Sequence, residues 1–128
     1  MEDLQYEILI IDDSKYIKML LTEILESKGY TCRAVENISL AMEVLDTCLP
    51  KLIFLDVNLP GSNGYDFCKM LKSTEKFNKV LVYYFTGVTE AEVAVKALET
   101  KAEGYLKKPF DLSYFNEIFE HIKKYNLV

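Results

Sequence analysis

Three runs in this chain are apolar at every position: Ile8-Leu9-Ile10-Ile11, Leu52-Ile53-Phe54-Leu55 and the β-branched and aromatic stretch over 80–85. A strand with one face in water alternates apolar and polar residues. Runs without alternation instead fit strands buried on both sides, as in a parallel sheet covered by helices. Between the runs the period changes. Ile17, Leu20, Leu21, Ile24 and Leu25 recur at three-and-four spacing up to Gly29, which predicts an amphipathic helix with a glycine stop.

The same rhythm continues along the chain. A short strand is expected over 31–35, then a helix on Leu40, Ala41, Val44 and Leu45 that closes before Pro50. After the run at 52–55 comes a loop with Pro60, Gly61 and Gly64, and Phe67, Met70 and Leu71 mark a third helix. Thr89 with Glu92 fits a capping box for a helix through Leu98. Tyr105-Leu106 marks a fifth strand, and Asp111 is placed to cap a last helix whose buried stripe is Leu112, Phe115, Ile118, Phe119 and Ile122. Five strand–helix units in strict alternation predict an α/β fold, a doubly wound five-stranded parallel sheet with five helices, and the order expected of it is the flavodoxin-like 2-1-3-4-5.

At 128 residues, half of them hydrophobic and 27% charged, the chain is expected to be one globular domain over 1–128. Cys32, Cys48 and Cys68 form no close pair, which excludes a C-x-x-C redox or zinc motif and points to a reducing compartment. The single histidine, His121, excludes a His-rich metal site and most His-based acid–base chemistry. Net charge is −5, and Arg33 is the one arginine, so the basic stripe of a direct nucleic-acid binder is missing. The N-terminus carries no signal segment, and no apolar run approaches the ~18 residues of a membrane span. A cytoplasmic location is expected.

In open parallel sheets, ligands bind outside the carboxyl ends of the strands. The residues at those ends are Asp12 and Asp13, Asp56, Thr86 and Lys108. Taken singly, each has an ordinary explanation: Asp as cap or turn former, Thr before Gly as a turn, Lys-Lys-Pro as a solvated loop. Jointly they do not, because three crowded carboxylates repel one another unless a cation sits among them. Hard oxygen ligands of this kind suit Mg²⁺, and Lys108 adds a further positive charge. A carboxylate can attack phosphorus to give an aspartyl phosphate. Phosphoryl transfer asks mainly for positioning and charge neutralisation, which this inventory supplies without a general base.

On these residues the chain resembles the receiver domain of two-component response regulators, CheY-like proteins. The resemblance covers roughly residues 6 to 124 and rests on four motifs in order: Ile10-Ile11-Asp12-Asp13-Ser14, Leu55-Asp56-x-x-Leu59-Pro60-x-x-x-Gly64, Thr86-Gly87 and Tyr105-Leu106-Lys107-Lys108-Pro109-Phe110. It implies that Asp56 is the phosphoacceptor, charged by a sensor histidine kinase or a histidine phosphotransfer protein. It implies further that Asp13, Asp56 and the backbone carbonyl of Asn58 bind Mg²⁺ (Mn²⁺ being able to stand in), with Asp12 helping directly or through water. Lys108 would pair with the phosphoryl group, Thr86 would move to hydrogen-bond it, and Tyr105 would turn inward. The surface of the fourth helix, fifth strand and fifth helix would then change for a downstream protein target. Such a chain is a signalling phosphoacceptor, not an enzyme with a separate substrate; it catalyses only its own phosphorylation and dephosphorylation.

Two departures from the family pattern carry expectations. Gly87 stands where alanine is usual, and being small it keeps the phosphoryl site accessible. Lys101 stands where a glycine commonly ends the fourth helix, which implies either modest strain or a different helix end. The rival readings are a small haloacid-dehalogenase-like phosphatase, a flavodoxin, and a phosphorylation-independent pseudo-receiver. The first needs a second Asp two residues after its nucleophile, where this chain has Asn58; the second needs a hydroxyl- and glycine-rich loop after the first strand; the third does not explain the full acid set with Thr86 and Lys108. Met1 and the short tails favour a stand-alone receiver over one cut from a longer regulator. Homodimerisation through the last two helices is left open by these residues.

Overall fold

The fold is taken from a computed structural model that describes residues 6–59, 61, 63–87, 90–107, 116 and 120. Its elements run β1 (Ile8–Ile11), α1 (Lys15–Ser27), β2 (Cys32–Val35), α2 (Ile38–Thr47), β3 (Leu52–Asp56), α3 (Gly64–Ser73), β4 (Leu81–Thr86), α4 (Glu90–Thr100) and β5 (Gly104–Lys107). All pairings are parallel, as the alternation predicts, and the strand order is β2-β1-β3-β4-β5, the flavodoxin-like order expected. Asn116 and Glu120 are helical. The Asp111 cap and the stripe Leu112, Phe115, Ile118, Phe119 and Ile122 of the expected last helix lie outside the described residues, as does Thr89 of the capping box. No helix among the described residues is long and apolar enough to cross a membrane.

The apolar runs behave as their composition requires. Every residue of β1, β3 and β4 is buried, whereas the edge strand β2 is buried only at Val35. Because side chains alternate across a strand, the sheet divides the interior into two cores. One gathers Leu9, Ile11, Leu55, Val82 and Tyr84 with Leu45, Phe67, Leu71, Val93 and Ala97, on the side of α2, α3 and α4. The other gathers Ile8, Ile10, Phe54, Tyr83 and Phe85 with Leu21 and Leu25 of α1.

Element ends differ from the sequence expectation by a residue or two, each for a local reason. Helix α2 starts at Ile38, two residues before Leu40, because the Asn37 side chain accepts the Leu40 N–H at 2.8 Å and caps it. Strand β4 begins after Val80, whose N–H closes a turn onto the Phe77 carbonyl. Helix α4 runs to Thr100, beyond Leu98.

The end of α4 resolves the question posed by Lys101. Lys101 N–H donates to Leu98 O and Ala102 N–H to Ala97 O, the paired bonds of a Schellman motif, and Lys101 has φ 66°. Helix α1 ends by the same two bonds, Gly29 N–H to Glu26 O and Tyr30 N–H to Leu25 O, with Gly29 at φ 93°. The fourth helix therefore keeps its glycine-type end with a lysine in the left-handed position. Strain is the outcome, not a different helix end.

Candidate functional site

Register brings the site together. Ile11 lies beside Leu55 and Asp56 beside Phe85, so Asp12, Asp56 and Thr86 leave three neighbouring strands within one residue of a common level. Asp12 is fully buried and Asp56 is 4% exposed, while Asp13 is exposed. Carboxylate oxygens of all three lie within 4.8 Å of one another.

Local hydrogen bonds hold two of these acids in place. Asp12 Oδ1 accepts the Ser14 N–H at 2.8 Å, and Asp56 Oδ1 accepts the Asn58 N–H at 2.9 Å, each an Asx turn at the end of its strand. Both aspartates thus fill the turn-forming role and still contribute an oxygen to the cluster. Ser14 then caps α1 by accepting from Ile17 N–H at 3.2 Å, so the positive end of that helix opens one residue beyond the acids.

The loop after Asp56 is pinned from the other side by Gly64, the first residue of α3. A Cβ there would stand 3.0 Å from Val57 Cα and 3.1 Å from Asp56 O, closer than backbone tolerates without moving. The sequence contains Gly64 within the motif, but its spacing alone assigns it no role; the close approach does. Asn63 caps α3, accepting from Tyr65 N–H at 2.9 Å and Asp66 N–H at 3.2 Å.

Thr86 is fully buried at the end of β4, level with Lys107 on β5. Two residues back on the same face, Tyr84 faces α4. The Thr100 hydroxyl donates to Lys96 O at 2.7 Å, which makes Tyr84 the donor in its 2.5 Å bond with Thr100 Oγ1. Burial, with the Cys68 thiol adding to it, pushes the Tyr84 hydroxyl above its ordinary range and keeps that proton in place. Tyr105 is half-buried, level with Tyr84, and packs against the core on the α4 side. Lys108 lies outside the described residues, and so does Pro60 of the second motif.

Of the expected site residues, the structure gathers Asp12, Asp13 and Asp56 into one cluster and sets Thr86 on the adjoining strand end. Hard anionic oxygens, two of the three on buried side chains with their orientation fixed, form the donor set of a hard divalent cation. The cluster fits such an ion.

The family model of the response regulator receiver domain matches residues 8–122. The phosphate regulon transcriptional regulatory protein PhoB of Pseudomonas aeruginosa is 35% identical over 103 residues, covering 80% of this chain and 45% of that protein. Sporulation initiation phosphotransferase F of Bacillus subtilis is 30% identical over 119 residues, covering 93% of this chain and 92% of its own. Among solved structures, the signal receiver domain of a DNA-binding response regulator from Colwellia psychrerythraea superposes with a TM-score of 0.85 at 25% identity, covering 95% of this chain and 99% of that one. The chain spans about half the length of the PhoB and MtrA regulators it matches. Fold, acid cluster and sequence match agree, and the chain belongs to the response regulator receiver domain family.

Proposed function

We propose that this receiver is the phosphoacceptor of a two-component relay and that Asp56 takes the phosphoryl group. The observation that carries the reading is the cluster itself: oxygens of Asp12, Asp13 and Asp56 within 4.8 Å at two adjoining strand ends, with buried Thr86 on the next strand. The donor is a phosphohistidine on a sensor kinase or phosphotransfer protein. An Asp56 carboxylate oxygen attacks phosphorus, the P–N bond breaks, and the imidazole leaves with the electron pair and takes up a proton. Asp56 is the nucleophile as its anion, so no general base is required.

Asp12, Asp13, Asp56 and the Asn58 carbonyl are the groups that would hold Mg²⁺, which neutralises charge on the phosphoryl oxygens when bound. Lys108 adds a second positive charge from the loop after β5. The Thr86 hydroxyl donates to a phosphoryl oxygen, Tyr105 follows it inward, and the face made by α4, β5 and the last helix changes shape. A new charge of about −1.5 to −2 biases that two-state element. The readout is contact with a protein target, not with nucleic acid, in the cytoplasm. The chain turns over no separate substrate; its chemistry ends with its own phosphorylation and dephosphorylation.

Incubation with acetyl phosphate and Mg²⁺ followed by intact mass tests this. One added phosphoryl group is expected, not formed when a chelator replaces free Mg²⁺ from the start and absent from Asp56→Asn. Turnover of a phosphate ester without an adduct would instead support a phosphatase, and partner binding with no adduct a pseudo-receiver.

A further inference from the structure

At the opposite end of the sheet from the acids, a partly buried ion pair ties three elements together. Lys72 Nζ, on α3, lies 2.9 Å from both carboxylate oxygens of Glu103 and donates to Val80 O at 2.7 Å. Glu103 brackets Val82: its Oε1 accepts the Val82 N–H at 2.6 Å, and its own N–H donates to Val82 O at 2.9 Å. The side chains of Lys72 and Glu103 are 8% and 20% exposed. Glu103 is the residue immediately before β5.

We propose that Lys72 and Glu103 are positioning residues for the phosphoryl site, fixing the register of β5 on β4. The proposal rests on the reading that Tyr105 and Lys108 serve a phosphoryl group on Asp56. Strand β5 has four residues and sits at the sheet edge, paired on one side only. A ladder that short specifies register weakly, and a slip of one residue would turn Tyr105 from the α4-side core to the other face. The bracket around Val82 sets where β5 begins. Gly104 marks the same register, since a Cβ there would stand 2.8 Å from the Tyr83 ring. A slip that put Tyr105 at that level would meet the ring. Buried ion pairs are poor sources of net stability, and their best-attested use is to fix registry.

Two double variants of the full chain separate this role from a purely structural one. Lys72→Met/Glu103→Leu removes the bracket and leaves no stranded charge. Lys72→Met/Glu103→Gln removes the ion pair but keeps an oxygen to accept from Val82 N–H. The leucine variant is expected to remain folded, to exchange the amide protons of β5 about tenfold faster with β1 and β3 unchanged, and to take phosphoryl from acetyl phosphate about tenfold more slowly. The glutamine variant is expected to restore both rates to within about threefold of the parent chain. Wild-type uptake by the leucine variant, unchanged protection of β5, or failure of glutamine to restore would overturn the proposal. Failure of the leucine variant to fold would overturn it too, by making the pair a stability element. If the parent chain takes no phosphoryl group, the reading of Asp56 falls, and β5 exchange alone decides whether the bracket sets the register.

Discussion

Replacing Lys101 by glycine should stabilise this protein. Lys101 holds φ 66° at the end of α4, where a Cβ crowds the neighbouring carbonyl at a cost of about 1–2 kcal/mol. Glycine removes that cost but adds freedom to the unfolded chain, worth about 0.4–1 kcal/mol in the other direction. The lysine side chain is exposed, so no packing is lost. The net gain is about 0.5–1 kcal/mol. Unfolding entropy of about 2.1 cal/mol/K per residue gives roughly 0.27 kcal/mol/K for 128 residues, hence a rise in Tm of about 2–4 °C. Lys101→Ala is the control for charge: it keeps the strain and loses only the lysine's attraction to the helix carboxyl end, so it should be neutral or slightly destabilising. Gly29→Ala is the mirror experiment. It meets no atom within 4 Å, so its effect is conformational, and by the same two terms it should lower stability by about 0.5–1 kcal/mol. Calorimetry on the three variants gives the comparison. An unchanged or lower Tm for Lys101→Gly, with Gly29→Ala destabilised as expected, would refute the left-handed assignment at the end of α4.

Gly64→Ala should push the backbone of the loop that carries Asp56, costing about 1–2 kcal/mol in urea unfolding and weakening Mg²⁺ binding measured by calorimetry; equal affinity in the two proteins would show that the loop yields without disturbing the acids. Cys32 predicts an alkaline weakness. Burial, then Glu26 and Glu7, push its thiol from 9.0 up to about 12, so above pH 9 the unfolded chain releases a proton that the folded chain keeps. Stability should fall as pH rises, by about 1 kcal/mol between pH 9 and 10, and Cys32→Ala should flatten that part of the profile; an identical slope in the variant would assign the loss elsewhere.

The architecture was legible because burial on both faces leaves its mark in consecutive apolar residues: Ile8 to Ile11 and Leu52 to Leu55 can hardly be anything but central strands. Asp12 and Asp56 were legible from their position after those strands. Element ends were less so, because they depend on single hydrogen bonds such as Asn37 to Leu40 N–H, which no periodicity encodes. The Lys101 pattern stated the alternatives, and the choice between them required the backbone angle. Lys72 and Glu103 gave no signal at all. They are thirty-one residues apart and of the types that ordinarily face solvent, and only the parallel crossover through β4 brings them into contact.

The two Asx turns at Asp12 and Asp56 have a thermodynamic consequence. A carboxylate that swivels must be arrested before it can serve as a ligand, and that arrest costs on the order of 1 kcal/mol per side chain. Here the backbone amides of Ser14 and Asn58 have already done the arresting during folding. What would remain for an incoming ion is to shed water and to recruit the exposed Asp13, so on the proposed reading dehydration would weigh more in the affinity of this end of the molecule than recruitment of its ligands.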